Sequence, residues 1–290
     1  MKFRTEINIT DAPKNLSPGR LVLLVGSCFS DNIGARMVSA DWPAIVNPCG
    51  VIYNPASMAI LFRLALQDEA SRIREIRDSI TEREGRFVSW LMGSTVSEIT
   101  KDDCVEKVAK CIAGVRETQG AADALILTFG TSDVWELAGS GKVVGNCHKH
   151  PAKEFRRRRL SIDEIVADWN DIFGKIRGIN PDVKIILTVS PRRYLSDGFA
   201  ENSRQKAVLL LACEILCREV ENIVYFPAYE ILNDDLRDYR FYKQDLIHPS
   251  EMAVDYIWEK FCDTFLDEEN KEKLKMMEKE SRRHRHRSIM

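Results

Sequence analysis

Ser27 directly follows an unbroken apolar run, Leu21-Val22-Leu23-Leu24-Val25, and one glycine, Gly26. A serine hydroxyl is a weak nucleophile at neutral pH, so it needs a base within hydrogen-bond reach and a third group to orient that base. The segment Asp245-Leu246-Ile247-His248-Pro249 carries both partners three residues apart. A carboxylate there can hold one imidazole nitrogen and leave the other for Ser27. The chemistry this permits is covalent acyl transfer, with attack by Ser27, proton transfer through His248 and orientation by Asp245. Plainer roles exist for each residue. Ser is a favoured helix cap, so Ser27 would also suit a helix starting near Asp31. An isolated His at a helix start is commonly a surface residue, and Asp is common before helices.

Other reactive groups stand beside this set. Cys28 adjoins Ser27, and a thiolate at a helix N-terminus has a lowered pKa. Successive side chains diverge, so Cys28 is expected to turn into the core if Ser27 faces the cleft. In Asn146-Cys147-His148-Lys149-His150 the two histidines could share a strand face. Two His and one Cys without a second cluster are thin support for zinc, and the run is read as a polar loop facing substrate. The four contiguous arginines, Arg156 to Arg159, suit a solvated edge better than an anion clamp. Arg192 and Arg193, just past an apolar run, are better placed to take an anionic group.

The elements that must position these groups follow the βαβ pattern. Apolar runs at 21–25, 124–129, 183–189 and 223–226 read as buried parallel strands, separated by helical periodicity near 101–117, 161–177 and 202–221. Further helices are expected at 55–67 and 249–265, with Pro55 and Pro249 in their first turns. The fold class is therefore α/β with a mostly parallel sheet. Such sheets gather functional groups at the carboxyl ends of their strands. Ser27, Gly130-Thr131-Ser132-Asp133 and Ser190-Pro191-Arg192-Arg193 all follow strands. Strand excursions at 85–94 and 134–144, the second turning at Gly139-Ser140-Gly141, are expected at the sheet's edge near the site.

Composition narrows the partners. The chain has 290 residues, 44% of them apolar, enough to bury a substantial core. Its 42 basic and 44 acidic residues nearly cancel, which argues against nucleic acid as an overall partner. The scattered tryptophans are not interleaved with a basic stripe as in single-strand platforms. The N-terminus lacks the apolar core of a secretory signal and no run is long enough to span a bilayer, so a cytoplasmic location is expected. Eight cysteines without a Cys-x-x-Cys pair are expected to be largely reduced, and Cys104, Cys111, Cys213, Cys217 and Cys262 to be packing residues. No linker divides residues 1–268, read as one domain. Residues 269–290 are read as a charged, flexible tail or frayed helix. Oligomeric state is not legible.

Gly26-Ser27-Cys28-Phe29-Ser30 resembles the first block of the GSCFA family, a branch of the SGNH/GDSL hydrolase superfamily, with Ser30 in place of the motif's Ala. The resemblance extends over roughly 20–265. Its other segments are Asn47-Pro48-Cys49-Gly50, Gly130-Thr131-Ser132-Asp133-Val134-Trp135, Asn146-Cys147-His148-Lys149, Ser190-Pro191-Arg192 and Asp245-x-x-His248-Pro249. It implies a three-layer α/β/α sandwich around a central mostly parallel sheet, flavodoxin-like in arrangement, with a site built from Ser27, His248 and Asp245. It also implies an oxyanion hole from the Ser27 and Gly50 amides and an Asn side chain. Ser132 stands where that Asn belongs, and Asn146 could compensate if the 134–144 excursion folds back over the site. Asp133, Trp135, His148, Lys149 and Arg192 are then expected to face substrate. The implied activity is serine-dependent acyl-ester hydrolysis through an acyl-enzyme, on a small-molecule or O-acylated glycan ester, with no cofactor or metal. An acyltransferase using the same site, or a non-catalytic descendant binding a glycan or protein, remains open.

Overall fold

A computed structural model describes residues 4–10 and 12–287. The N-terminal reading of residues 1–3 and the last three residues of the expected tail lie outside the described residues. The first apolar run forms β1 (Val22–Gly26), which passes through Ser27 into α1 (Cys28–Ser39) and then β2 (Ala44–Val46). Asn54 caps α2 (Pro55–Leu66), and Asp68 caps α3 (Glu69–Ser79). The first excursion is the antiparallel set β3 (Ile80–Arg83), β4 (Arg86–Ser89) and β5 (Ser97–Glu98). After α4 (Lys101–Ala121) come β6 (Ala124–Phe129), β7 (Asp133–Leu137), β8 (Val143–Val144) and β9 (Phe155–Arg159). The chain continues through α5 (Ile162–Ile179), β10 (Lys184–Val189), α6 (Phe199–Glu219) and β11 (Ile223–Phe226). A single turn, α7 (Ala228–Glu230), runs into a π-helical turn at Ile231–Leu236, followed by α8 (Glu251–Phe265) and α9 (Glu268–Arg287).

The central sheet has the order β11-β10-β6-β1-β2, with every pair parallel. Strand alternation divides its side chains between two layers of helix. Leu23, Val25, Leu125, Leu127, Ile185 and Leu187 pack with α2, α4, α5 and α6. Val22, Leu24, Ala124, Ile126 and Ile186 pack with α1 and α8 through Phe29, Ile33, Met37, Ile257 and Phe261. This is the expected three-layer α/β/α sandwich. From β1 the chain goes to β2 on one side and later returns to β6 on the other. The carboxyl ends of β1 and β6 thus form the topological switch point, where open α/β sheets bind ligands.

Three expectations need correction. Ser250, not Pro249, begins α8: its side chain accepts from the Ala253 N–H, and Pro249 lies one residue outside in a bridge to Tyr242. Arg156 to Arg159 lie in β9, the edge strand of its sheet, with Arg156 and Arg157 exposed as expected of a solvated edge, although three of the four arginines are paired. Arg157 pairs with Asp133 and Asp197, Arg158 with Glu136 and Glu164, and Arg159 with Asp133 and Glu201. Cys28 is half-buried while Ser27 is fully buried, the reverse of the expected exposure. Finally, 268–287 is helical: Leu274, Met277 and Ser281 fall on one stripe, with Leu274 and Ser281 buried, and the Arg285 guanidinium donates to the Ser39 carbonyl at 2.8 Å.

Candidate active site

Gly26 makes the approach to Ser27 specific. Its φ of +151° lies outside ordinary side-chain territory, and a Cβ there would collide with the Thr128 carbonyl, so only glycine lets β1 close on β6. Ser27 then caps α1, its Oγ accepting from the Phe29 N–H at 3.3 Å. Ser30, which replaces the motif's Ala, donates its hydroxyl to Thr128 Oγ1 at 2.8 Å and ties α1 to β6.

Asp245 and His248 meet as the spacing predicted. The Asp245 carboxylate accepts from His248 Nδ1 at 2.6 Å through one oxygen and from the Ile247 and His248 N–H groups at 2.9 and 3.0 Å through the other. These bonds hold the carboxyl well below the ordinary carboxylate range, the His248 N–H contributing most. The turn is tied to the β10 end by the Arg193 N–H, which donates to the Ile247 carbonyl at 3.3 Å. Helix α8, following His248, packs on α1, following Ser27, with Arg36 paired to Glu251 at 2.9 Å and Asp255 at 2.7 Å. A hydrogen bond between Ser27 Oγ and His248 is not among those of the described residues.

The expected oxyanion donors are placed unevenly. The Ser27 N–H already donates to Thr128 O at 3.2 Å, and the Gly50 N–H to Asn47 O at 2.8 Å, so neither amide is free. Ser132 is buried with its hydroxyl unpartnered. Asn146 accepts from the His148 N–H at 2.7 Å and lines a cavity of about 230 Å³ with Tyr53, Thr131, Arg157 and Tyr194. A larger cavity of about 290 Å³ between Ile60, Trp90 and Val143 meets the smaller one only at Val144.

Of the residues expected to face substrate, Asp133 and Trp135 line the smaller cavity, but Asp133 is bound to Arg157 and Arg159. His148 is buried: its Nε2 donates to the Ser89 carbonyl at 2.8 Å, pinning the loop to β4, and burial holds its pKa below the usual value. Lys149 is exposed at a turn outside the cavity lining. Arg192 lies among the site residues, its guanidinium 5.5 Å from the Tyr53 ring centre and 4.9 Å from that of Tyr194. Burial pushes the Cys28 and Cys147 thiols up, Cys147 to about 11, so neither is a ready thiolate. Among the described residues no group of three or more His, Cys, Asp or Glu could hold a metal, and no helix is long and apolar enough to cross a membrane.

Sequence reasoning missed Tyr53, Tyr194 and Lys206. The Tyr53 carbonyl accepts from the Gly130 and Thr131 N–H groups at 2.8 and 3.0 Å, laying the 50–53 loop across the switch point. A Cβ added at Gly130 would lie 2.6 Å from Tyr194 Oη and 3.4 Å from Ser27 Cβ, so the phenol sits close to Ser27. Lys206 is buried and donates to the Gly130 and Ser190 carbonyls, both at 2.7 Å, joining the ends of β6 and β10. One signal was available: Asn202, Gln205, Lys206 and Leu209 share the buried stripe of α6, where polar members need a reason.

Solved structures give distant likenesses only. A family 3 carbohydrate esterase from Talaromyces cellulolyticus aligns at 9% identity over 90% of this chain and 99% of its own, with a TM-score of 0.36. A family two carbohydrate esterase from Clostridium thermocellum, in complex with cellohexaose, aligns at 10% over 86% of this chain and 64% of its own, with a TM-score of 0.37. The acetyl xylan esterase Est2A from Butyrivibrio proteoclasticus aligns at 13% over 86% and 64%, with a TM-score of 0.34. Superpositions this loose carry no argument about the site. No curated protein matches the chain. The GSCFA family model, by contrast, matches residues 21–261, spanning β1, the switch point and the Asp245-His248 turn, and on that match the chain belongs to the GSCFA family.

Proposed function

We propose that this protein is a serine acyl-ester hydrolase of the SGNH kind, with Ser27 as nucleophile, His248 as base and Asp245 as the group that orients it. The observation that carries the reading is the Asp245-His248 pair, bonded at 2.6 Å on a turn tied to the β10 end, while β1 delivers Ser27 to the switch point. Ser27 Oγ would attack the ester carbonyl as its proton passes to the imidazole nitrogen not bound to Asp245. The same proton then goes to the departing alcohol, and water cleaves the acyl-enzyme by the reverse sequence. Catalytic hydrogen bonds in unliganded sites are often long and tighten on binding, so the cap contact of Ser27 does not oppose this role. The unpartnered Ser132 hydroxyl and the Asn146 amide N–H₂ are the candidate oxyanion donors. The substrate proposed with this reading is a small-molecule or glycan ester.

A second reading has one observation in its favour. Ser27 is fully buried and already used as a cap, as in a descendant that binds ligands without turnover. A fluorophosphonate probe separates the two. The serine-hydrolase reading expects labelling of the wild type that is lost in Ser27→Ala; equal labelling of both, or none of either, overturns it.

A further inference from the structure

The cations around this site divide into two groups. Arg157, Arg158 and Arg159 each have carboxylate partners. Arg192 and Lys206, past the β10 end and inside α6, have none within ion-pair distance among the described residues. Lys206 is satisfied by two carbonyls. Arg192 is not: its Nε is buried without an acceptor, and a guanidinium cannot shed its proton to escape the cost. Beside it, the Tyr194 hydroxyl is also buried without a partner. Native structures rarely leave two adjacent buried donors empty, and such groups call for a specific explanation.

We propose that Arg192 Nε and Tyr194 Oη form a subsite for a carboxylate, or an equivalent singly charged oxyanion, carried by the substrate next to Ser27; the substrate part of this rests on the esterase reading above. Such a group only accepts hydrogen bonds, matching the two donors that Arg192 Nε and Tyr194 Oη leave open. The guanidinium lies 4.9 Å from the Tyr194 ring centre, so positive charge stands beside the phenol. Burial, opposed by Arg192, raises the Tyr194 pKa and keeps its proton available for donation. The nearby acids are occupied: the Asp31 carboxylate accepts from Asn47 Nδ2 at 2.6 Å, and Asp133 and Asp197, which line the cavity, are paired with Arg157. Tyr53 and Tyr194 line the 230 Å³ cavity, which gives the rest of a small acid somewhere to lie. Through Gly130, Tyr194 Oη is also close enough to Ser27 for one small molecule to reach both.

Titration calorimetry with benzoate and with benzamide, its neutral counterpart, tests the subsite without requiring turnover. Wild type and Ser27→Ala are expected to bind benzoate at least about tenfold more tightly than benzamide, the scale of one charge-assisted bond. Arg192→Gln is expected to abolish that preference and Tyr194→Phe to reduce it. Absence of a benzoate preference in the wild type, or its survival in a folded Arg192→Gln variant, overturns the proposal. A matched hydrolysis assay, 4-acetoxybenzoate against its methyl ester, reads the same preference as a kcat/KM ratio. If benzoate binds through Arg192 but Ser27 takes no fluorophosphonate, the esterase reading fails and the anion subsite stands. If Ser27 is labelled and benzoate is not preferred, the subsite alone fails.

Discussion

An ammonium group sealed among strand ends is costly, and Lys206 is such a group. Burial, reinforced by the positive charge of Arg192, lowers its pKa from the ordinary value to about 7, with no carboxylate to offset the shift. The consequence for stability has a definite sign. Between about pH 7 and the unfolded lysine value near 10.4, the unfolded chain holds a proton that the folded chain lacks, so stability rises with pH. The slope from this one group is at most about 1.4 kcal/mol per pH unit. Urea midpoints for wild type and Lys206→Met at pH 7 and pH 9.5 isolate it: wild type should gain on the variant as pH rises. A constant difference would mean that Lys206 stays charged and is held by its two carbonyls.

The elements matter to the site through contacts that fix where Ser27 stands. Helix α1 lies so close to β2 that a Cβ at Gly34 would collide with Val46 Cγ2 and sit 2.8 Å from Cγ1. Gly34→Ala should therefore cost about 1–3 kcal/mol by overpacking and tilt the helix whose first turn holds Ser27. Gly34→Ala with Val46→Ala should recover part of both stability and Ser27 labelling, a coupling that a double-mutant cycle reads directly. Strictly additive losses would show that α1 adjusts without touching β2. The buried strands and most helices were legible because apolar runs such as Leu23 to Val25 and the stripes of α4, α5 and α6 carry their period in the sequence. The Asp245-His248 pair was legible because its members are three residues apart and bond across one turn. Arg157 was not, because its meaning depends on Asp197 in another loop. Tyr194 and Lys206 were missed for the same reason: their roles arise where β6 and β10 end together, which no local pattern encodes. The tie of His148 to Ser89 was not legible either, because a polar loop beside a site looks the same in sequence whether or not it pins a strand.

At the scale of the molecule, α9 tests whether the C-terminal segment belongs to the fold. Its composition is basic and almost without apolar residues after Met277, yet the helix is anchored along its length. Asn270 accepts from the Ser17 hydroxyl at 3.1 Å, Lys271 pairs with Asp263 at 2.8 Å, Leu274 is 5% exposed in the core on the α1 and α8 side, and Arg285 reaches Ser39. Exposed ion pairs of this kind contribute little, so Leu274 should dominate, at about 1.5–3 kcal/mol for full burial of a leucine. The proposed site is built from residues up to 248, and among the described residues its hydrogen bonds do not reach α9. Ending the chain at Asp267 should therefore lower the melting temperature by roughly 5–10 °C while leaving fluorophosphonate labelling of Ser27 at low temperature intact. An unchanged melting curve would return the segment to a tethered, non-contributing tail. Loss of labelling in a truncated protein that remains folded would mean that α9 supports α1, through Arg285 and Ser39, more than its burial suggests.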